Sequence, residues 1–235
     1  MKILAFDTTA KTASVAVTED EKLLGLSNID NGLTQSELIL PMAENLLSSL
    51  KLDFSDIELY AVTVGPGSFT GVRIGVATVK GLAFGRDIPC AAVSALEALA
   101  ENAAGLRGII LPCMDARRGQ FYTATFESDG EALKRLTPDR AISAEELASE
   151  LCDYEGDIYV TGDGYETAHK LLTARGVHLA KTPELIRSQN AYSIARIAKA
   201  MHGRGECVSE RELQPTYLRL PQAERERLER EGTKA

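Results

Sequence analysis

A glycine- and proline-rich turn leads straight into an apolar helix in the stretch Gly65-Pro66-Gly67-Ser68-Phe69-Thr70-Gly71-Val72-Arg73-Ile74-Gly75. The preceding run, residues 59–64, is apolar and β-branched, which predicts a buried strand. Two glycines around a proline allow a sharp turn, and the hydroxyl of Ser68 or Thr70 can cap the helix. A strand, a glycine turn and a helix N-terminus form a common anion-binding arrangement, but the same elements also make tight connections without a ligand. The turn does not end in Gly-Lys-Ser/Thr, so it is not a P-loop of that kind.

The helix after this turn carries few charges and many small residues. Arg73 and Lys80 are its only charged residues between Val72 and Phe84. A helix that is apolar nearly all round must be covered on more than one side. Each internal glycine costs up to about 1 kcal/mol relative to alanine, so their recurrence predicts the close approach of another backbone. That backbone belongs either to this chain or to a partner.

Composition limits the kind of protein this can be. The chain has 235 residues and a formal net charge of −8. Its length suits one large domain or two small lobes, and its acidity argues against a large nucleic-acid-binding surface. The four cysteines are widely spaced, which indicates a reducing compartment rather than disulfides or zinc. Because no signal peptide follows Met1 and no apolar run is long enough to cross a bilayer, we expect a cytoplasmic protein without membrane contact.

One strand pattern occurs twice along the chain. Residues 2–6 predict a strand that ends at Asp7, followed by an alternating strand at 13–18. Residues 108–114 predict another strand that ends at Asp115, followed by a turn and an alternating strand at 121–126. Two copies about a hundred residues apart predict a duplicated α/β fold. We expect an N-terminal lobe at 1–105, a C-terminal lobe at 106–220 and a charged tail at 221–235.

A second apolar helix is predicted at residues 36–50. Thr34 and Glu37 have the spacing of a capping box at its start. Pro41 lies inside the pattern and is expected to kink the helix or begin a second segment.

These features together resemble the bacterial TsaB family, formerly YeaZ, of the actin, sugar-kinase and Hsp70 superfamily. The resemblance covers nearly the whole chain apart from the tail. Its motifs are Asp7-Thr8-Thr9, Thr34-Gln35-Ser36-Glu37, the strand end and glycine turn at 64–75, Met114-Asp115-Ala116-Arg117-Arg118-Gly119 and Pro215-Thr216-Tyr217-Leu218-Arg219. It implies two actin/Hsp70-like (ASKHA) lobes, each a mixed sheet flanked by helices. Gln35 departs from the pattern, because family members often carry histidine there.

The resemblance also implies a role in forming threonylcarbamoyladenosine in ANN-decoding tRNAs. It implies that the chain binds and activates TsaD, a larger paralogue that transfers the threonylcarbamoyl group, together with the ATPase TsaE. It implies a homodimer when TsaD is absent, and contact with tRNA only through the complex. The chain itself would catalyse no transfer and bind no cofactor alone, with ATP or ADP possible in the complex with TsaD and TsaE.

The two apolar helices, about 36–50 and 70–85, are the expected partner surface, for TsaD or for a second copy. A large exposed apolar patch is rare on a monomer, and a pairing of like surfaces needs only self-complementarity. The expected contacts are Leu38, Met42, Leu46, Val72, Arg73, Gly75, Val76, Val79 and Lys80.

A cleft between the lobes is the second candidate site, expected as a vestigial phosphate loop. Asp7 and Asp115 would either pair as phosphoryl-transfer acids or magnesium ligands, or cap local turns. The candidate residues are Asp7, Thr8, Thr9, Gly65, Gly67, Ser68, Asp115 and Arg117. No histidine stands on the helix at 36–50, where the paralogous enzyme carries a metal-binding pair, and the three histidines elsewhere have no metal-site spacing. The alternative function is an independent ATP- or metal-dependent kinase or peptidase of the same superfamily.

Overall fold

A computed structural model describes residues 1–219, and the predicted tail at 221–235 lies outside them. A five-stranded sheet forms the first lobe, in the spatial order β3-β2-β1-β4-β5. β1 is antiparallel to β2 and parallel to β4. The strands are β1 (Lys2–Asp7), β2 (Ala13–Glu19), β3 (Lys22–Ile29), β4 (Leu59–Gly65) and β5 (Cys90–Ser94).

Helices cover both faces of this sheet, because its central strands are apolar on both sides. Successive residues of a strand point to opposite faces. Leu4 and Phe6 therefore face one core, beneath α1 (Gln35–Leu50) and α2 (Phe69–Ala83). Ile3 and Ala5 face the other, against α6 (Ala191–Gly203).

The second sheet repeats the arrangement of the first. Its strands are β6 (Arg107–Asp115), β7 (Gln120–Thr123), β8 (Phe126–Asp129), β9 (Leu133–Arg135), β10 (Arg140–Ser143) and β11 (Ile158–Thr161). β6 is antiparallel to β7 and β8 and parallel to β11, as β1 is to β2 and β4. α4 (Ala144–Leu151) and α5 (Tyr165–Thr173) pack against one side of this sheet. The predicted pair of mixed sheets flanked by helices is confirmed.

Helix α3 (Ala95–Glu101) joins the two lobes. Its Leu96 and Leu99 are buried in a cluster with Ile110 of β6 and Phe126 of β8. The lobes therefore share an apolar contact in addition to the chain connections between them.

After the second lobe, the chain returns to the first. α6 packs against β1, β2, β4 and β5, and Val208 forms a bridge with Cys90 at the edge of β5. The predicted division at residue 105 places these residues in the second lobe. That assignment is corrected by the contacts, since residues 191–208 complete the first.

Local signals at the helix starts behave as the sequence predicts. Thr34 and Glu37 form the capping box of α1, and the Ser68 hydroxyl accepts the Gly71 N–H at the start of α2. α1 is not divided at Pro41, which lies within one helix. Within residues 1–219, none of the helices combines the length and the apolar character needed to cross a membrane.

Candidate functional site

Four strand ends meet at the cleft between the lobes. β1 ends at Asp7, β4 at Gly65 and β6 at Asp115. β11 is followed directly by the turn Gly162-Asp163-Gly164. In open α/β sheets, ligand sites form at the carboxyl ends of the strands, so this is the place where an ancestral phosphate site would lie.

Asp7 is buried and held by its neighbour. Its Oδ1 accepts hydrogen bonds from the Thr9 backbone N–H at 2.8 Å and from the Thr9 hydroxyl at 2.6 Å. Among residues 1–219 its Oδ2 has no hydrogen-bond partner. Burial raises the pKa of Asp7 to about 6, against the opposing effect of the two Thr9 hydrogen bonds. The Asp7 carboxylate is therefore costly to ionise in the folded chain.

Asp115 and Asp163 extend this acidic group. The Asp115 Oδ1 accepts the Arg117 N–H at 2.7 Å, so both Asp7 and Asp115 close a local turn with the residue two positions on. The Asp163 Oδ1 accepts the Asp115 N–H at 3.4 Å. Burial raises the pKa of Asp163; the hydrogen bond from the Asp115 N–H and the charge of Lys11 oppose this shift, whereas the charge of the Asp115 carboxylate adds to it. The sequence offers Gly162-Asp163-Gly164 either as the remnant of an adenosine-binding turn or as a plain loop, and Asp163 is not among the predicted site residues.

The glycine turn is packed tightly against this chain itself. Gly65 has a φ of +120°, and a Cβ there would collide with the Thr216 carbonyl oxygen. The Ser68 N–H donates to the Thr9 carbonyl oxygen at 2.7 Å, and the Thr8 hydroxyl donates to the Gly71 carbonyl oxygen at 2.7 Å. The backbone N–H groups of Thr9, Ser68 and Gly71 are thus already bonded within the chain.

Metal-ligating side chains are not gathered in the part of the chain that is described. Within residues 1–219, no group of three or more His, Cys, Asp or Glu side chains is arranged to hold a metal ion. The three aspartates of the cleft interact electrostatically without forming such a group.

The predicted partner contacts on α1 and α2 require correction. Met42, Val72, Gly75, Val76 and Val79 are buried in the core that these helices share with the first sheet. They are unavailable to a partner because they face this chain's own strands. At Gly75 the close neighbour is the Thr8 hydroxyl oxygen, with which a Cβ would collide.

The remaining predicted contacts are only partly available. Leu38 and Leu46 are half-buried against the same core. Lys80 Nζ donates to the carbonyl oxygens of Leu213 at 3.0 Å and Arg211 at 3.2 Å. Arg73 is exposed, but its Nε donates to the Tyr217 hydroxyl at 2.9 Å and its guanidinium lies 3.8 Å from the centre of the Phe69 ring.

A different set of residues is exposed on the outer side of the same two helices. Phe84 is 74% exposed and Leu40 is 38% exposed. Ala77 and Gly81 are also exposed and share a helix face, because a spacing of four residues follows the helical repeat; Phe84 follows directly after the last residue of α2. No described atom lies within 4 Å of a Cβ placed at Gly81. We call Leu40, Pro41, Ala77, Gly81 and Phe84 the α1–α2 surface; it combines large exposed apolar side chains with an uncovered glycine.

The duplicated sheets, with an aspartate ending the first strand of each lobe, define an actin/Hsp70-like α/β protein. The sequence model of the family described as TsaD, tRNA N6-adenosine threonylcarbamoyltransferase, matches residues 34–225. The tRNA threonylcarbamoyladenosine biosynthesis protein TsaB of Escherichia coli (strain K12) is 32% identical over 225 residues, covering 93% of this chain and 95% of that protein. TsaB of Bacillus subtilis (strain 168) is 37% identical over 142 residues, covering 60% of this chain and 62% of that protein.

Solved structures agree with these relatives. YeaZ from Pseudomonas aeruginosa superposes with a TM-score of 0.75 at 26% identity, covering 92% of this chain and 99% of that structure. A protein described as uncharacterized, with similarity to peptidase YEAZ from Pseudomonas aeruginosa, superposes with a TM-score of 0.76 at 26% identity. The match covers 93% of this chain and 99% of that structure. The chain belongs to the TsaB family, as the sequence resemblance predicts.

Proposed function

We propose that this chain is an accessory subunit in the formation of threonylcarbamoyladenosine in tRNA. It binds and activates a TsaD-type transferase, together with TsaE, and does not catalyse the transfer itself. The names of its relatives support the process, and the exposed α1–α2 surface is the observation that carries the binding role.

The α1–α2 surface suits a partner of related fold. The TsaD family model matches most of this chain, so a TsaD-type partner carries helices equivalent to α1 and α2. Two such helix pairs can meet about a pseudo-twofold axis, with a large side chain of one partner packing over the uncovered Gly81 of the other. The same geometry pairs two copies of this chain when the transferase is absent.

The cleft supports an accessory role rather than an independent activity. N–H groups that would cradle a phosphate are bonded within the chain at Thr9, Ser68 and Gly71. Asp7 and Asp115 close their own turns. In this proposal the chain binds no nucleotide alone, ATP or ADP enters with TsaD and TsaE, and tRNA is contacted through the complex in the cytoplasm. The net charge of −8 is consistent with indirect contact.

The alternative is an independent ATP- or metal-dependent enzyme, such as a kinase or peptidase. The observation that favours it is the meeting of Asp7, Asp115 and Asp163 at the strand ends. It requires an ionised Asp7 for turnover by the free chain, whereas the accessory role does not.

A substitution on the α1–α2 surface tests the accessory role. Ala77→Arg places a long charged side chain in the middle of the α1–α2 surface, so we expect it to weaken the complex with TsaD at least about tenfold, since burying an unpaired charge is costly. Ser149→Arg is the matched control, because Ser149 is exposed on α4. Light scattering after size-exclusion chromatography, with and without TsaD, measures both. Normal association of a folded Ala77→Arg variant would contradict this location.

A further inference from the structure

The segment after α6, residues 209–219, is anchored first beneath α2. Leu213 is fully buried in the core that α1 and α2 share with the first sheet. Lys80 of α2 donates hydrogen bonds to the backbone of the same segment, at the carbonyl oxygens of Arg211 and Leu213. This end of the segment is fixed by burial as well as by hydrogen bonds.

The middle of the segment lies directly on the glycine turn. The Thr216 N–H donates to the Val64 carbonyl oxygen at 2.7 Å, and its own carbonyl oxygen occupies the space that a side chain at Gly65 would need. Tyr217 then stacks on Phe69 with ring centres 4.9 Å apart. The segment therefore covers the start of α2 and the end of β4 together.

The far end of the segment reaches the second lobe. Arg219 Nη1 donates to the Ala116 carbonyl oxygen at 3.2 Å, and its Nη2 donates to the Gln120 Oε1. The guanidinium lies 5.7 Å from the centre of the Tyr122 ring. The Ala116 N–H donates to the Gln120 carbonyl oxygen across the turn between β6 and β7, so the Arg219 contacts tie the segment to that turn of the second lobe.

We propose that residues 209–219 form a strap that couples α2 and the glycine turn to the second lobe. The α3 region already joins the lobes on one side, through its apolar cluster and through the Ser94–Asp139 and Arg135–Glu97 contacts. The strap adds a second tie between other elements of the two lobes. The Arg219 end is the releasable one, because its contacts are polar and half-buried whereas Leu213 is enclosed. The strap is a property of the isolated chain and does not depend on the accessory role.

Amide hydrogen exchange on the full chain tests the coupling. In Arg219→Ala, the amides of Thr216 and Ser68 in the first lobe should exchange at least about fivefold faster, because losing the second-lobe anchor lets the strap lift. Arg118→Ala is the matched control, since Arg118 is an exposed arginine in the same β6–β7 turn. It should leave both amides unchanged.

A second variant approaches the contact from the other lobe. Gln120→Ala removes one of the two acceptors of Arg219 and should give the same pattern as Arg219→Ala with a smaller change, while circular dichroism verifies that both variants are folded. Faster exchange at Thr216 and Ser68 in both variants supports the strap. A change confined to residues 116–120 in both would overturn it.

Discussion

Asp7 shows how one residue can fix a loop at a cost to stability. The carboxyl group is fully buried and its pKa is raised to about 6 by burial. The folded chain therefore binds this proton more tightly than the unfolded chain, whose aspartates titrate near 3.8. By linkage, the contribution of Asp7 to the free energy of unfolding falls as pH rises from about 4 to about 6, and stays low above that.

Asp7→Asn should remove this penalty and keep the turn, because an amide oxygen can still accept both Thr9 hydrogen bonds. We expect the free energy of unfolding to rise by about 1–3 kcal/mol at neutral pH and the gain to vanish below about pH 4. Urea unfolding across this pH range measures the change, with Asp30→Asn, at an exposed aspartate outside the cleft, as control. The accessory role also predicts that TsaD stays active with Asp7→Asn, whereas an independent enzyme would lose its turnover.

Only two of the three aspartates in the cleft could be predicted from the sequence. The sequence places Asp7 and Asp115 at strand ends, because each follows an apolar run. Asp163 follows a shorter strand, and its role depends on β11 pairing with β6 beside Asp115. Such a pairing between residues about fifty positions apart leaves no local pattern.

At the scale of the element, α2 exposes one face and buries the other although both are apolar. The sequence predicts the helix at 70–85, and it is observed at Phe69–Ala83. The buried face carries Val72, Val76 and Val79, while Ala77 and Gly81 are outside. When apolar residues surround a helix, their periodicity does not show which face is buried, and for this reason Val72, Val76 and Val79 were predicted as partner contacts although they face this chain's own core.

Two glycines of α2 should therefore respond in opposite ways to alanine. Gly75→Ala forces a methyl group against Thr8 and against Val62 Cγ2 at 3.1 Å, so we expect destabilisation by about 1–3 kcal/mol. Gly81→Ala meets open space and should stabilise the isolated chain by up to about 1 kcal/mol through helix propensity. Thermal and urea unfolding measure the pair. Equal effects at the two sites would contradict the assigned faces.

At the scale of the whole molecule, the first lobe is built from both ends of the chain. The duplication was predictable, because the strand-and-aspartate pattern occurs twice in the sequence. The packing of α6 against the first sheet was not predictable. The sequence of an amphipathic helix shows that it has an apolar face, but not which sheet that face covers.

A fragment of residues 1–105 should consequently fail to fold as a stable lobe. Without α6, the face of the sheet that carries Ile3, Ala5, Ala61 and Val93 keeps only the partial cover that α3 provides. A permuted chain that joins residues 191–219 to residues 1–105 through a flexible linker restores the cover and should unfold cooperatively in urea. A cooperative transition for the short fragment alone would show that α6 is dispensable.

The return of α6 also determines when the first lobe can be completed during synthesis. The sheet is finished at Ser94, but its covering helix ends at Gly203. At a ribosomal rate of about 5–20 residues per second, roughly 5–20 s pass between the two. During that interval the nascent chain displays an incompletely covered apolar sheet face, which is the kind of surface that chaperones bind. The second lobe is made entirely within this interval, so the lobe that begins first is the one that finishes last.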